Sequence, residues 1–215
     1  MVQKTKKLAA KPDAPAPKRR GRPRAYQPEI ALGKALDLFR KDGFAGTSLD
    51  DLSAATGMNR PSLYAAFGDK RDLYLKTLEH YREQSRALAQ QVLADNPPLR
   101  VFLKRFYDKA LELYFGDGPR GCYTIGTAAT VAAVDDDVRR FLAEGVRGAD
   151  AFLKRRIEKA KAEGEISRDA DPAALAFIAT ATMHTLAVRS RAGLSRKELD
   201  ALVDAAINVI CGAEK

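Results

Sequence analysis

The sequence predicts an all-α protein of about nine helices, with a small three-helix headpiece joined to a larger helical body. From residue 28 onward, apolar residues recur at the i, i+3, i+4, i+7 spacing that gathers them on one helix face. Ser, Asp or Asn stands repeatedly just before an apolar run, often with an acid three residues later, which marks helix starts. No run alternates with period two, so no strand is expected, and there is no internal repeat.

Residues 9–24 (AAKPDAPAPKRRGRPR) are rich in proline and almost free of large apolar side chains, so they cannot bury enough surface to offset their ordering entropy. A flexible arm is expected over residues 1–24. Leu32, Ala35, Leu36 and Phe39 then share one face of a first helix that ends near Asp42-Gly43. Ser48, with Asp51 three residues on, opens a short second helix that stops at Thr56-Gly57. Asn59 caps a third whose first turn accepts Pro61, because an amide there has no intrahelical partner. Asp69 and Asp72 repeat the capping pattern for a long fourth helix striped by Tyr74, Leu78, Tyr81, Leu88 and Val92, closed by Asn96-Pro97-Pro98. Beyond it lie a helix over residues 99–115, a shorter helical segment over 123–134 and a long helix opened by Asp135, Asp136 and Asp137. Asp171-Pro172 caps the next, and Ser195 with Glu198 the last.

The formal charge of +9 is unevenly placed. Residues 1–27 carry nine Lys and Arg against Asp13, or +8, which leaves +1 for the rest. A nearly neutral globule with a basic arm suits a polyanion such as nucleic acid or an anionic surface. Other classes recede. Cys122 and Cys211 cannot form a disulfide framework, so a reducing interior is expected. The basic N-terminus has no apolar signal region, and the apolar stretch 173–188 is short and broken by Thr180, Thr182, His184 and Thr185. No membrane association is expected, and the location read from the sequence is the cytoplasm.

Residues 48–67 fit two short helices joined by a glycine-containing turn, the helix-turn-helix arrangement whose second helix enters the DNA major groove. Leu49, Leu52, Leu63 and Tyr64 are expected to form the small core of the corner. Asn59, Arg60, Pro61 and Ser62 would face base edges. In the arm, residues 18–24 (KRRGRPR) resemble an AT-hook, in which Arg20, Arg22 and Arg24 would enter a narrow A·T minor groove. A solvated tail making nonspecific phosphate contacts stands beside that reading.

Residues 47–73 (TSLDDLSAATGMNRPSLYAAFGDKRDL) resemble the tetracycline-repressor family of one-component transcription regulators. The features that carry the resemblance are Phe39, Gly43-Phe44, Thr47-Ser48, Gly57, Ser62-Leu63-Tyr64, Phe67, Lys70 and Leu73. The resemblance spans about residues 28–75 and implies that Thr47, Tyr64 and Lys70 contact phosphates while Arg60, Pro61 and Ser62 face the major groove. A hydroxyl, a phenol and an ammonium suit phosphate oxygens, and Arg60 can reach guanine O6 and N7. Ser53 and Thr56 replace the family's usual alanines, and Ala65-Ala66 replace a polar or aromatic pair. Residues 28–70 hold five cations and six acids, so the headpiece is −1 and the arm is expected to supply much of the affinity for DNA.

The resemblance also implies a helical ligand-binding and dimerisation domain over residues 86–215, beside a helix-turn-helix domain over 25–85. Phe102, Phe106, Tyr107, Tyr114, Phe115, Tyr123, Met183 and His184 are candidates to line a small-molecule effector site, with ordinary core packing as the alternative for each. A homodimer is expected through Ala173, Ala174, Ala176, Ala179 and Ala181 of one helix and Leu199, Leu202, Ala206 and Ile210 of the last, with an intramolecular core as the alternative that would produce the same patterns. Cys122 is a candidate thiol sensor, against the alternative of an inert buried thiol. His80 and His184 have no metal-ligand spacing with either cysteine, and the 135–137 acids suit a helix N-terminus rather than a cation. Lys154, Arg155, Arg156 and Lys159 suit the other end of that helix. No metal or cofactor is implied. Enzyme motifs such as a P-loop, G-x-G-x-x-G or G-x-S-x-G are missing, so the chain reads as no enzyme. The expected function is a ligand-responsive repressor acting as a homodimer on a palindromic operator in double-stranded DNA. An effector-independent architectural DNA-binding protein is the alternative.

Overall fold

The computed structural model describes residues 27–116 and 121–213. The expected arm, with Arg20, Arg22 and Arg24, lies outside the described residues. Helices follow one another as α1 (Pro28–Gly46), α2 (Leu49–Thr56), α3 (Arg60–Phe67), α4 (Lys70–Leu93), α5 (Leu99–Phe115), a π-helical turn (Thr124–Ala128), α6 (Ala129–Val131), α7 (Asp136–Ala162), α8 (Pro172–Arg191) and α9 (Arg196–Cys211). There is no strand among the described residues.

The helix starts are made by the predicted side chains. The Ser48 hydroxyl accepts from the Asp51 amide at 3.1 Å while the Asp51 carboxylate accepts from the Ser48 amide at 2.8 Å. Asp69 and Asp72 make the same reciprocal pair for α4, and Ser195 and Glu198 for α9. Asn59, Asp135 and Asp171 each accept from amides of the first turn that would otherwise lack partners. One end differs from expectation. The helical run continues to Gly46, but Gly43 at φ 74° and ψ 169° breaks it just after Asp42, so the stop is a sharp kink followed by one more turn.

Two apolar cores result. One joins Ala35, Leu36 and Phe39 of α1 to Leu52, Leu63, Phe67, Leu73, Tyr74 and Leu78, and it extends into the body through Tyr123, Ala128 and Val138. The other lies among α5, α7, α8 and α9 around Phe102, Leu103, Tyr107, Leu153, Leu186 and Val203. α4 runs without a break through residue 85, so one rod carries the chain from headpiece to body.

Several packing expectations are corrected. Leu199 and Ile210 of α9, and Ala176 and Ala179 of α8, are buried in the chain's own core rather than left for a partner. Ala174 and Ala181 are exposed, and the large apolar residues that α8 and α9 expose are Phe177, Ile178, Val188 and Val209. Arg156 is not a solvated charge at a helix end: it is buried, donates to the Pro97 carbonyl at 2.6 Å and pairs with Glu165 at 3.2 Å.

Candidate nucleic-acid interface

The α2–α3 corner is held from below by Leu52, Met58, Leu63 and Phe67, all buried. Its turn is tied by four hydrogen bonds. Gly57, left-handed at φ 73°, directs its amide to the Ser53 carbonyl at 3.0 Å. The Ser53 hydroxyl donates to the Met58 carbonyl. Thr56 donates its hydroxyl to the Leu52 carbonyl at 2.7 Å and accepts from the Met58 amide at 3.3 Å. The two positions that depart from the family's alanines therefore brace the turn. Tyr64 corrects the expected corner core, since it is 47% exposed and projects from α3.

α3 presents Asn59, Arg60, Pro61, Tyr64 and Ala65 to solvent, with Ser62 half-buried. Asn59 is occupied as the cap, accepting from the Ser62 amide at 2.9 Å. Arg60 forms a two-point ion pair with Asp50 on α2. Thr47 is buried, its hydroxyl donating to the Gly43 carbonyl at 2.7 Å. The Lys70 ammonium stands 4.5 Å from the centre of the Phe44 ring, a cation–π contact that holds it beside the start of α4. Arg40, counted among the headpiece cations, is 5% exposed and turned inward, so it is unavailable to phosphate. The described headpiece thus has even less surface positive charge than its sequence suggested.

Two arginines, Arg40 buried and Arg71 partly exposed, form a junction that was not anticipated. Arg40 Nη2 donates to the carbonyls of Leu113 at 2.6 Å and Gly121 at 2.5 Å, joining α1 to the end of α5 and the following loop. At the start of α4, Arg71 donates through Nε and Nη2 to the two Asp135 oxygens at 2.6 and 2.9 Å, and through Nη2 to Asp137 at 2.5 Å. These bonds hold the Asp135 carboxyl down to about 2. The acid run at residues 135–137 therefore serves both as a helix cap and as the partner of a headpiece arginine. The signal for Arg40 was its position four residues after Leu36, on the apolar face of α1.

The candidate effector residues divide between the two cores. Phe102, Tyr107 and Tyr114 are buried in the body, with the Tyr107 hydroxyl donating to the Ala179 carbonyl at 3.1 Å. Phe106 stacks on Phe102 with centroids 5.8 Å apart, and Phe152 packs against both. Phe115 and Met183 are partly buried against the same core. His184 is half-buried, and burial lowers its basicity, favouring the neutral ring. Tyr123 stands apart in the headpiece core, its hydroxyl 2.8 Å from that of Thr77. Cys122 lies beside the Arg40 junction, accepting from the Tyr81 hydroxyl at 3.6 Å. A groove of about 600 Å³ is lined by Lys34, Leu38, Arg40 and Lys41 of α1 and Arg191 of α8, and none of these candidates is among its lining residues.

Comparison with known proteins fits this architecture. Residues 31–77 match the family described as bacterial regulatory proteins, tetR family, and residues 99–206 match the tetracyclin repressor-like C-terminal domain. The HTH-type transcriptional repressor ComR of Escherichia coli K12 is 28% identical over 184 residues, 85% of this chain and 88% of that protein. BdcR, another HTH-type transcriptional repressor of that organism, is 35% identical over 102 residues, covering 47% of this chain and 51% of its own. Among solved structures, a cysteine-substituted form of the TetR family regulator CifR complexed with 26-bp operator DNA has a TM-score of 0.80. It is 30% identical and covers 87% of this chain and 98% of that one. With both halves of the chain matched, the protein belongs to the TetR family of bacterial transcription regulators.

Proposed function

We propose that this protein is a DNA-binding repressor that acts as a homodimer on a two-fold symmetric operator and changes its grip when a small molecule binds in the helical body. The observation that carries this reading is the braced corner, which sets Arg60, Pro61, Ser62 and Tyr64 along one outward end of α3. Support comes from the operator-bound relative, which matches almost the full length of the folded chain. In this reading Tyr64 and Lys70 hold phosphates, Arg60 reads a base edge, and the N-terminal arm through residue 24 adds phosphate or minor-groove contacts, while Thr47, buried and bonded to Gly43, braces the α1–α2 connection instead of reaching a phosphate.

The second copy covers α8 and α9. Phe177 is 62% exposed, Val188 59% and Val209 65%, and three large apolar side chains on neighbouring helices make a face that water solvates poorly. A second copy related by a two-fold axis would bury it and set two headpieces for two half-sites. The body over residues 86–215 then serves effector binding and dimerisation. An effector packed against Phe102, Phe106 and Met183 would act by preferring one arrangement of the headpieces. The work of the chain is binding rather than catalysis, on DNA in the cytoplasm. No helix of the described residues is long and apolar enough to cross a membrane.

Footprinting of the full chain on the DNA upstream of its own gene tests the reading. A single two-fold symmetric protected region is expected. Protection spread over A·T-rich DNA without symmetry would instead support an architectural protein.

A further inference from the structure

Arg60 is the first residue of α3, and its guanidinium is already engaged. Its Nε–H donates to Asp50 Oδ1 at 2.9 Å and its Nη2–H to Oδ2 at 2.5 Å, the side-on, two-point geometry in which one carboxylate fixes the plane of one guanidinium. Asp50 belongs to the first turn of α2, so the bond spans the corner. Both side chains are well exposed, 55% for Arg60 and 73% for Asp50, and an ion pair so solvated adds little to folding stability. Nor does α2 depend on Asp50 for its start, because Ser48 and Asp51 form the cap.

A carboxylate beside the reading helix also repels the phosphates that the headpiece must approach, and this headpiece has no surplus positive charge to spare. The geometry offers a compensating use. A guanidinium carries five N–H groups in a rigid plane, and Asp50 occupies the Nε–Nη2 edge. The Nη1–Nη2 edge keeps two parallel donors, the pattern that fits guanine O6 and N7. Holding the plane in advance removes rotamer freedom that Arg60 would otherwise lose on binding a base.

We infer that Asp50 is a positioning residue. It presets Arg60 for a guanine, and its charge penalises sequences in which Arg60 finds no partner to offset the repulsion. This rests on the reading of Arg60 as a base contact, and it names the mechanism by which a headpiece with little positive charge discriminates.

The test uses the full chain, an operator selected from a random duplex pool, every single base-pair substitution of that operator and an unrelated duplex. Asp50→Asn, Arg60→Ala and the double variant are compared with the parent. Arg60→Ala is expected to cut discrimination about tenfold at one symmetry-related G·C pair. Asp50→Asn is expected to cut discrimination several-fold at that same pair, while the unrelated duplex binds several-fold more tightly and its salt dependence steepens. The double variant should discriminate no worse there than Arg60→Ala. Thermal melting unchanged from the parent is expected for Asp50→Asn, given its exposure and the independent cap. If Asp50→Asn tightens binding to the operator and to every substituted duplex by one common factor, the acid is only a repulsive charge and the inference is overturned, with the reading of Arg60 intact. If Arg60→Ala leaves discrimination unchanged at every position, the inference and the reading beneath it both fail.

Discussion

Replacing Arg40 by methionine keeps most of the stem and removes every donor, so it isolates what the buried guanidinium does. Leu113 lies in the last turn of α5, where carbonyls have no intrahelical partner, and Arg40 supplies one while also holding the Gly121 carbonyl. A hydrogen bond to a charged group contributes about 1.5–3 kcal/mol net, so two such bonds represent roughly 3–6 kcal/mol. Against this stands the cost of burying the cation, whose Nε has no partner, and that cost disappears with the charge. The expected net loss is about 2–4 kcal/mol, which for a chain of this size lowers the melting midpoint by roughly 5–15 °C. Denaturant unfolding followed by circular dichroism measures it, with the slope reporting whether α1 still unfolds together with the body. A midpoint equal to or above that of the parent would refute the reasoning. It would mean that apolar packing of Phe39 and Tyr74 alone joins α1 to the body.

Three further outcomes are expected. Deleting residues 1–24 removes nine cations and should flatten the salt dependence of DNA binding and weaken it at least about tenfold near physiological salt, whereas an unchanged slope would mean that the arm stays off the DNA. Arg71→Ala should lower stability modestly near neutral pH. Because Asp135 is held down to about 2 in the folded chain against an unfolded value of about 3.9, that stabilisation is complete above the unfolded value and is lost as pH falls towards 2. Stability curves of the parent and Arg71→Ala should therefore converge over that interval, and a gap persisting at pH 2 would assign the loss to something other than the ion pair. Phe177→Arg, at a position 62% exposed, should turn dimer into monomer in sedimentation velocity without loss of helicity, and a persisting dimer would place the interface elsewhere.

Local chemistry was the most legible part of this chain. The caps at Ser48, Asp69 and Ser195 are made within four residues, and each forms the bonds its spacing implies. Periodicity likewise identified Leu36 with Phe39 on α1, and Leu199 with Ile210 on α9, as members of one face. What periodicity leaves open is which body covers a face, and there the expectation for α9 failed: its stripe packs on α5 and α8 of its own chain. The junction was hidden for a related reason. Arg40 meets carbonyls 73 and 81 residues away, and Arg71 meets Asp135 across 64, separations that no local pattern encodes. Tyr64 was misplaced because it neighbours Leu63, although the turn of about 100° per residue along α3 carries Tyr64 off the buried face. Asp50 entered the sequence reading only as one of six headpiece acids, and its reach to Arg60 depends on the angle between two helices.

The most direct test of DNA reading by the α2–α3 corner is selection of bound duplexes from a random pool by the full chain. The expected result is enrichment of one sequence with two-fold symmetry, its half-site centres about one helical turn or a multiple apart, and loss of that enrichment with Arg60→Ala. Retention of duplexes in proportion to their A·T content, without symmetry and unaffected by Arg60→Ala, would contradict it.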